Sequence, residues 1–346
     1  KVLVVDRSPE LEKEFRGFCK SSPIKEIRDL EIVYAKDTNV SRMPPFEDYL
    51  QRMEKEGPQW IVPDEVVLVK FQNADILLVQ WGAVSKEIIE AGKHLKLIVT
   101  IRSGYENINT AYAKEKGIPV SFAPSRLADV VADMTVALAL SECRGIVRRN
   151  LIATHGQWRE EKYNDASHGA LGNLVVGIVG YGGIARTVTR RFRNGFGSRV
   201  LAYEKITPRE ILEKDGVEPV DLETLLKTAD IITLHARLCE ETKHMIGEEE
   251  FRQMKPNAVF INTARAGLVD EQALIKALQE GWIRGAGLDV YEKEPLPCDS
   301  PLLQMDNVTL MPHSAGITND ILKNSLKIIG SDLERFLTGK ALEHLA

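Results

Sequence analysis

The strongest constraint on the fold is a repeated pattern of short, almost wholly apolar runs separated by helical stretches. Val2–Val5, Glu31–Tyr34, Asp75–Val79, Leu97–Ile101 and Ile118–Phe122 form a first series of runs. Leu174–Val179, Arg199–Tyr203, Asp230–Leu234, Ala258–Ile261, Gly285–Asp289 and Val308–Leu310 form a second. Runs this short read as strands, and strands apolar on both sides belong to parallel sheets covered by helices on each face. The segments between them, such as Ser85–Ala91, Asn109–Lys116 and Asp270–Glu280, read as those helices. A chain of 346 residues exceeds what a single core usually holds, so two series imply two domains. The expected class is α/β, with two doubly wound parallel-sheet domains.

The boundary is expected at a long helical stretch, about Arg126–Trp158, whose centre Ala128–Cys143 is apolar on nearly all sides and should be buried. We place it near residues 145–150, with residues 146–315 as the second domain. An amphipathic helix at about Asn319–Leu337 follows the last strand and is expected to return to the first domain, which then comprises residues 1–145 plus 316–346. Lys36–Pro63, rich in proline, methionine and charge, reads as an insertion.

Composition excludes several classes. Fifty acidic against 45 basic residues give a net charge of −5, which argues against a broad nucleic-acid-binding surface. No apolar run approaches the ~18–20 residues of a membrane span. Cys19, Cys143, Cys239 and Cys298 lie far apart with no CxxC spacing, so neither a disulfide scaffold nor a zinc site is expected, and a reducing cytoplasm fits. Lys1–Asp6 reads as a buried strand rather than a signal peptide, and the missing initiator Met is consistent with a removed leader. His94, His155, His168, His244 and His344 lack metal-ligand spacing and read as surface or capping residues; no metal is expected. The Arg144–Arg149 cluster reads as a solvated helix end, and no GxSxG nucleophile motif occurs.

The sharpest local signal is a strand, Leu174–Val179, running into Gly180-x-Gly182-x-x-Ala185 and then a helix. Gly180 permits the tight turn, Gly182 lets backbone approach a pyrophosphate, and Ala185 is small enough for close helix–strand packing. Free N–H groups and the helix dipole then attract phosphates. The next strand ends in Glu204, which can accept hydrogen bonds from ribose hydroxyls and repels a 2′-phosphate. The expected cofactor is therefore NAD rather than NADP, with Lys205 and Arg237 as local counterweights.

Three later strands each end beside a reactive side chain: Arg265, the carboxylates Asp289, Glu292 and Glu294, and His313. Open α/β sheets place their sites at those ends. A substrate carboxylate calls for a planar, always-charged, bidentate donor, which arginine supplies. A carbonyl that receives hydride must also take a proton, and histidine suits that near neutrality. A neighbouring carboxylate stabilises and orients the imidazolium. The set is equipment for hydride transfer to a 2-oxo acid.

With these residues in view, the chain resembles the D-isomer-specific 2-hydroxyacid dehydrogenase family over nearly its whole length. The resemblance runs through Arg102-Ser-Gly-Tyr-Glu-Asn-Ile-Asn109, Val130-Val-Ala-Asp133, the Gly180 loop and His235-Ala-Arg-Leu-x-x-Glu-Thr242. It continues through Ile261-Asn-Thr-Ala-Arg265, Leu288-Asp-Val-Tyr-Glu-x-Glu-Pro295 and Pro312-His-Ser-Ala-Gly316. It implies a Rossmann NAD-binding domain, a flavodoxin-like substrate domain and a homodimer formed through the former. It also implies catalytic roles for Arg265, Glu294 and His313. Gly180, Gly182, Gly183 and Ile184 would lie by the pyrophosphate and Glu204 by the ribose. Thr263, Ala264, Asp289 and Gly316 would lie on the nicotinamide side. Ser103 and Gly104, with Arg265, would take the substrate carboxylate.

Departures from the family pattern sharpen the reading. Ala266 stands where glycine usually follows the catalytic arginine, and Arg237 where proline is common. Arg102 stands where a small residue is usual, and either reads a second anionic group on the substrate or faces solvent or an acid. Glu294, where formate dehydrogenases carry glutamine, argues against formate. Only one helix follows His313, so no C-terminal regulatory domain is expected. Two other functions compete: an NADPH-dependent glyoxylate or hydroxypyruvate reductase, and a non-catalytic NAD(H)-binding sensor or co-repressor.

Overall fold

Residues apolar on both sides need cover on both sides, and the first series accordingly becomes one covered parallel sheet. The computed structural model describes residues 1–39, 49, 52–53, 56–158 and 169–346. Its first strands are β1 (Val2–Asp6), β2 (Ile32–Lys36), β3 (Ile76–Val79), β4 (Leu97–Thr100) and β5 (Val120–Ser121). They lie in the order β2-β1-β3-β4-β5, all pairs parallel, which is flavodoxin-like winding. Phe15, Leu326, Ile329 and Leu333 cover one face, the last three from the final helix Ile321–Leu337. Val67, Phe71, Ile88 and Ala113 cover the other. Asp332 on that final helix is fully buried and accepts hydrogen bonds from Ser121 Oγ (2.7 Å) and the Glu343 N–H (2.7 Å), tying the chain end to β5.

The second series gives β6 (Val175–Val179), β7 (Arg199–Tyr203), β8 (Glu218–Pro219), β9 (Ile231–Leu234), β10 (Val259–Asn262), β11 (Gly285–Leu288) and β12 (Val308–Leu310). The sheet order is β12-β11-β10-β9-β6-β7-β8, again all parallel. Counted from β6, this is the 3-2-1-4-5-6 winding of dinucleotide folds with one strand added. The order reverses between β6 and β9, so the loops after Val179 and Leu234 meet at the switch point. β8 was not anticipated. It is two residues long and ends in Pro219, which has no N–H to give a ladder and is tolerated only at an edge.

The long helical stretch is two helices, Ala128–Arg144 and Ile146–Thr154, parted at Gly145 with φ 59° and ψ 40°. Glycine adopts that left-handed conformation without the cost a Cβ would add. The first helix buries Val131, Ala132, Val136, Leu138 and Cys143 against β10, β11 and the helix Gly183–Arg190. On its outer side Asp129 and Asp133 hold Arg191 at 3.2 and 2.6 Å. The helix is therefore part of the second unit. The compact units are Lys1–Arg126 with Asn319–Ala346, and Leu127–Thr318, so the chain divides earlier than the expected 145–150. Much of the Lys36–Pro63 segment, the polar segment 159–168 and His168 lie outside the described residues.

One core carboxylate is out of place by ordinary rules. Asp6 at the end of β1 is 3% exposed, and its Oδ1 has no hydrogen-bond partner among the described residues. Burial pushes its pKa up to about 6, aided by the charges of Asp37 and Glu10 and opposed by the Arg7 N–H and guanidinium. A folded-state pKa above the unfolded value adds stability at low pH that is lost as pH rises through the folded value. Asp6→Asn should therefore raise stability at pH 7.5 by about 2–3 kcal/mol, at 1.36 kcal/mol per pKa unit. That advantage should shrink by pH 5. Urea midpoints at the two pH values check this, and an equal difference at both would contradict it.

Candidate active site

The turn after β6 is built for close backbone approach. Gly180 has φ 86°, and a Cβ there would lie 2.5 Å from both N and Cα of Ala236. Conformation and space both demand glycine. Gly182 caps the helix Gly183–Arg190, and a Cβ on it would meet nothing within 4 Å. Open space at a helix start with unpaired N–H groups suits an anion. Ala185 is fully buried beneath the turn, and Gly183 and Ile184 are half-buried. Tyr181, between the glycines, is 1% exposed and reaches Asp215 Oδ2 at 3.2 Å, which fixes the loop.

Glu204 stands just past β7 and is more engaged than the sequence suggests. Its Oε1 accepts the N–H groups of Lys205 (2.9 Å), Ile206 (2.6 Å) and Thr207 (3.1 Å). Its Oε2 accepts the Tyr181 N–H of the glycine loop. Burial alone pushes the carboxyl up, but these donors outweigh it and hold the group below the usual range. Glu204 is thus a carboxylate, and Oε2 keeps an acceptor site for a ribose hydroxyl. The glycine turn, the open helix start and this carboxylate together fit NAD.

His235, at the end of β9, is half-buried, and its Nε2 lies 3.0 Å from Thr233 Oγ1. Burial pushes its pKa down to about 3, so the ring is neutral in the folded protein. Arg237, two residues on, is exposed.

The turn after β10 is shaped by Asn262. Its Oδ1 accepts the Ala264 N–H (3.0 Å) and its Nδ2 donates to the Arg265 carbonyl (3.1 Å). Thr263 is buried, with its hydroxyl 2.9 Å from that of Thr135. Arg265 is exposed and spends one Nη1 donor on the Ala264 carbonyl (2.7 Å). Its other donors have no partner among the described residues.

Glu294 and His313 are in direct contact. His313 Nδ1 lies 2.7 Å from Glu294 Oε2, and Glu294 Oε1 accepts the Tyr291 N–H at 3.0 Å. Both side chains remain partly open to solvent. His313 has φ 50°, a left-handed conformation that a non-glycine residue adopts only when its surroundings hold it there. Asp289 does the holding: it is 1% exposed, and its two oxygens accept the N–H groups of Ser314 (2.7 Å) and Ala315 (2.9 Å). Each oxygen keeps a second acceptor site, so this role is compatible with a contact to nicotinamide. The Asp289 N–H binds the Asn262 carbonyl at 3.0 Å, linking the Arg265 turn to the His313 loop. Gly316 is half-buried against Leu127.

Arg265, Glu294 and His313 thus follow three adjacent strands of one unit. Ser103 and Gly104 belong to the other unit, just past β4, with Ser103 exposed and Gly104 half-buried. Sequence reasoning did not single out Asn262 or the loop-holding function of Asp289; both lie within quoted motifs, but only coordinates show whom they bind. Among the described residues, no cluster of histidine, cysteine and carboxylate side chains could hold a metal. No helix there is long and apolar enough to cross a membrane.

Comparison with known proteins agrees with this geometry. Residues 136–315 match the family model described as D-isomer specific 2-hydroxyacid dehydrogenase, NAD binding domain. A glyoxylate reductase of Korarchaeum cryptofilum is 39% identical over 279 residues, 80% of this chain and 83% of that one. A D-3-phosphoglycerate dehydrogenase of Methanocaldococcus jannaschii is 37% identical over 307 residues, 87% of this chain but 58% of its own length. The NAD-complexed D-isomer specific 2-hydroxyacid dehydrogenase of Lactobacillus delbrueckii ssp. bulgaricus superposes with a TM-score of 0.76 at 25% identity, covering 100% of both chains. The chain therefore belongs to the D-isomer-specific 2-hydroxyacid dehydrogenase family, with its NAD-binding domain in the second unit.

Proposed function

We propose that this chain uses NADH to reduce a small 2-oxo acid to a D-2-hydroxy acid, with His313 as proton donor, Glu294 as its partner and Arg265 as carboxylate anchor. The observation that carries the reading is the 2.7 Å contact between His313 Nδ1 and Glu294 Oε2. Directing Nδ1 at the carboxylate leaves Nε2 for the substrate oxygen. When bound, the nicotinamide supplies hydride to the carbonyl carbon. The oxygen then gains negative charge and takes the Nε2 proton, and Glu294 stabilises the imidazolium before that transfer. Arg265 grips the substrate carboxylate with its remaining donors and polarises the carbonyl. Gly180, Gly182, Gly183 and Ile184 would hold the pyrophosphate, Glu204 the ribose, and Thr263, Ala264, Asp289 and Gly316 the nicotinamide side.

The test is oxidation of NADH and NADPH against glyoxylate, hydroxypyruvate, pyruvate, 2-oxoglutarate and a phosphorylated 2-oxo acid. Glu204 predicts a preference for NADH of at least about tenfold. Arg265→Ala should lower kcat/KM by about 10²–10³-fold, as expected when one partner of a desolvated charge pair is removed. NADH binding without turnover of any acid would favour the sensor reading instead, and an NADPH preference would favour the NADPH-dependent reductase.

We infer a homodimer formed through the second unit. The helix Ile146–Thr154 buries none of its residues, and Ile146, Val147 and Leu151 are 53%, 40% and 51% exposed. A clustered apolar face on a helix otherwise rich in arginine suits a second copy of the chain. Sedimentation should give twice 38.7 kDa; a mass of one chain would contradict it. The cysteines are free among the described residues, which fits a reducing compartment such as the cytoplasm.

A further inference from the structure

Two threonine hydroxyls meet inside the second unit, beside the turn after β10. Thr135, on the helix Ala128–Arg144, is fully buried, and Thr263 is buried too. Their oxygens lie 2.9 Å apart. The helix approaches the sheet closely because Gly287 on β11 has no side chain: a Cβ there would lie 2.8 Å from that of Leu138. Thr135 Oγ1 also lies 2.8 Å from the Val131 carbonyl, one helical turn back, a common acceptor for a threonine within a helix.

These two contacts fix the order of the protons. A hydroxyl has one proton to donate and two lone pairs to accept with. The Val131 carbonyl has no proton to give, so the Thr135 proton goes to it. Turned to Thr263 instead, it would leave two bare oxygens facing each other at 2.8 Å in the core, which costs an unmade buried hydrogen bond. The Thr263 hydroxyl therefore donates to Thr135, and its only proton is spent. Thr263 Oγ1 remains as an acceptor, and no donor meets its lone pairs among the described residues. Asp289, just past the neighbouring strand, also accepts only, since its two oxygens take the Ser314 and Ala315 N–H groups. The residues assigned above to the nicotinamide side thus offer two acceptors, and the carboxamide of nicotinamide carries two N–H donors.

We propose that Thr135 is a positioning residue for the cofactor. It draws the Thr263 proton inward, so that Thr263 Oγ1 accepts an N–H of the nicotinamide carboxamide and selects an amide over a group lacking that donor. This role rests on the NADH-dependent reading above and extends it to a helix residue that reaches the cofactor only through Thr263.

The experiment is calorimetric titration, without any 2-oxo acid, of NADH against its reduced 3-acetylpyridine analogue, in which a methyl group replaces the amide nitrogen. The wild-type protein should bind NADH about five- to tenfold more tightly, the scale of one neutral hydrogen bond. Thr263→Val, close in shape but without the hydroxyl, should lower that ratio about fivefold. Thr135→Val takes the acceptor from the Thr263 proton and frees the hydroxyl to turn, so the ratio should fall about two- to threefold, whereas Thr135→Ser should keep the wild-type ratio. A tie that merely holds helix to turn gives a different result: both valine variants melt at lower temperature and bind the two dinucleotides equally less well, at an unchanged ratio. That result overturns the proposal. So does a wild-type protein that binds the two equally, which decides the matter even where a variant fails to fold. NADH binding with either of those outcomes leaves the reductase reading standing, since turnover of 2-oxo acids is measured separately. Absence of NADH binding overturns both.

Discussion

His313→Gln is expected to lower kcat for 2-oxo acid reduction by about 10²–10⁴-fold, the range that positioned acid–base catalysis supplies. Glutamine can hydrogen-bond in the space of the imidazole but has no proton to give. Glu294 Oε2 would keep a donor at the position now 2.7 Å away, so the loop should survive the change. Asp289 still holds the Ser314 and Ala315 N–H groups, which further protects the backbone. Steady-state rates with saturating NADH read the effect, and the melting temperature reports whether the fold is intact. A variant that keeps more than about a tenth of wild-type kcat would remove His313 from the mechanism.

Gly180→Ala should damage the fold and cofactor binding together. At φ 86° an alanine pays for the left-handed conformation, and its methyl would sit 2.5 Å from backbone atoms of Ala236. Those atoms cannot swing aside as a side-chain tip would, because the neighbouring His235 N–H is bonded to the Val179 carbonyl at 2.7 Å. Strain and overpacking together cost about 2–5 kcal/mol, enough to lower the melting temperature of a unit this size by roughly 5–15 °C. Gly182→Ala is the informative contrast. Its methyl enters open space, so stability should change by less than about 1 kcal/mol, whereas NADH affinity should fall at least about tenfold if phosphates fill that space. Equal melting temperatures for the two variants would contradict this account of the loop.

Much of this was legible in the sequence. Every strand apolar on both faces announced itself, and so did the glycine spacing before Ala185, because each reflects a local requirement of backbone or burial. What escaped depends on distant partners. β8 has no apolar signature, since a two-residue edge strand carrying Pro219 buries little. The break at Gly145 was hidden because the residues on both sides favour helix, so only the turn of the chain shows that they serve different surroundings. The early division at Arg126 follows from where the helix Ala128–Arg144 finds its cover, which periodicity shows to be needed but does not locate. At the site, residue types pointed to Arg265, to the carboxylates Asp289, Glu292 and Glu294, and to His313, and the family resemblance singled out Glu294 among the three acids. They could not show that Asp289 grips the His313 loop or that Arg126, among the described residues, is buried with one long contact to Ser325.

The four N–H groups gathered by Glu204 bear on how such a chain can change its diet of cofactor. Exchanging that carboxylate for a neutral or basic side chain, the obvious step toward accepting a 2′-phosphate, also strips the acceptor from Tyr181, Lys205, Ile206 and Thr207. The first substitution on that route therefore loosens both the turn after β7 and the glycine loop before any new preference is gained. Descendants that switch would have to rebuild Lys205–Thr207 in the same stroke, and a laboratory library confined to position 204 should return few well-folded winners.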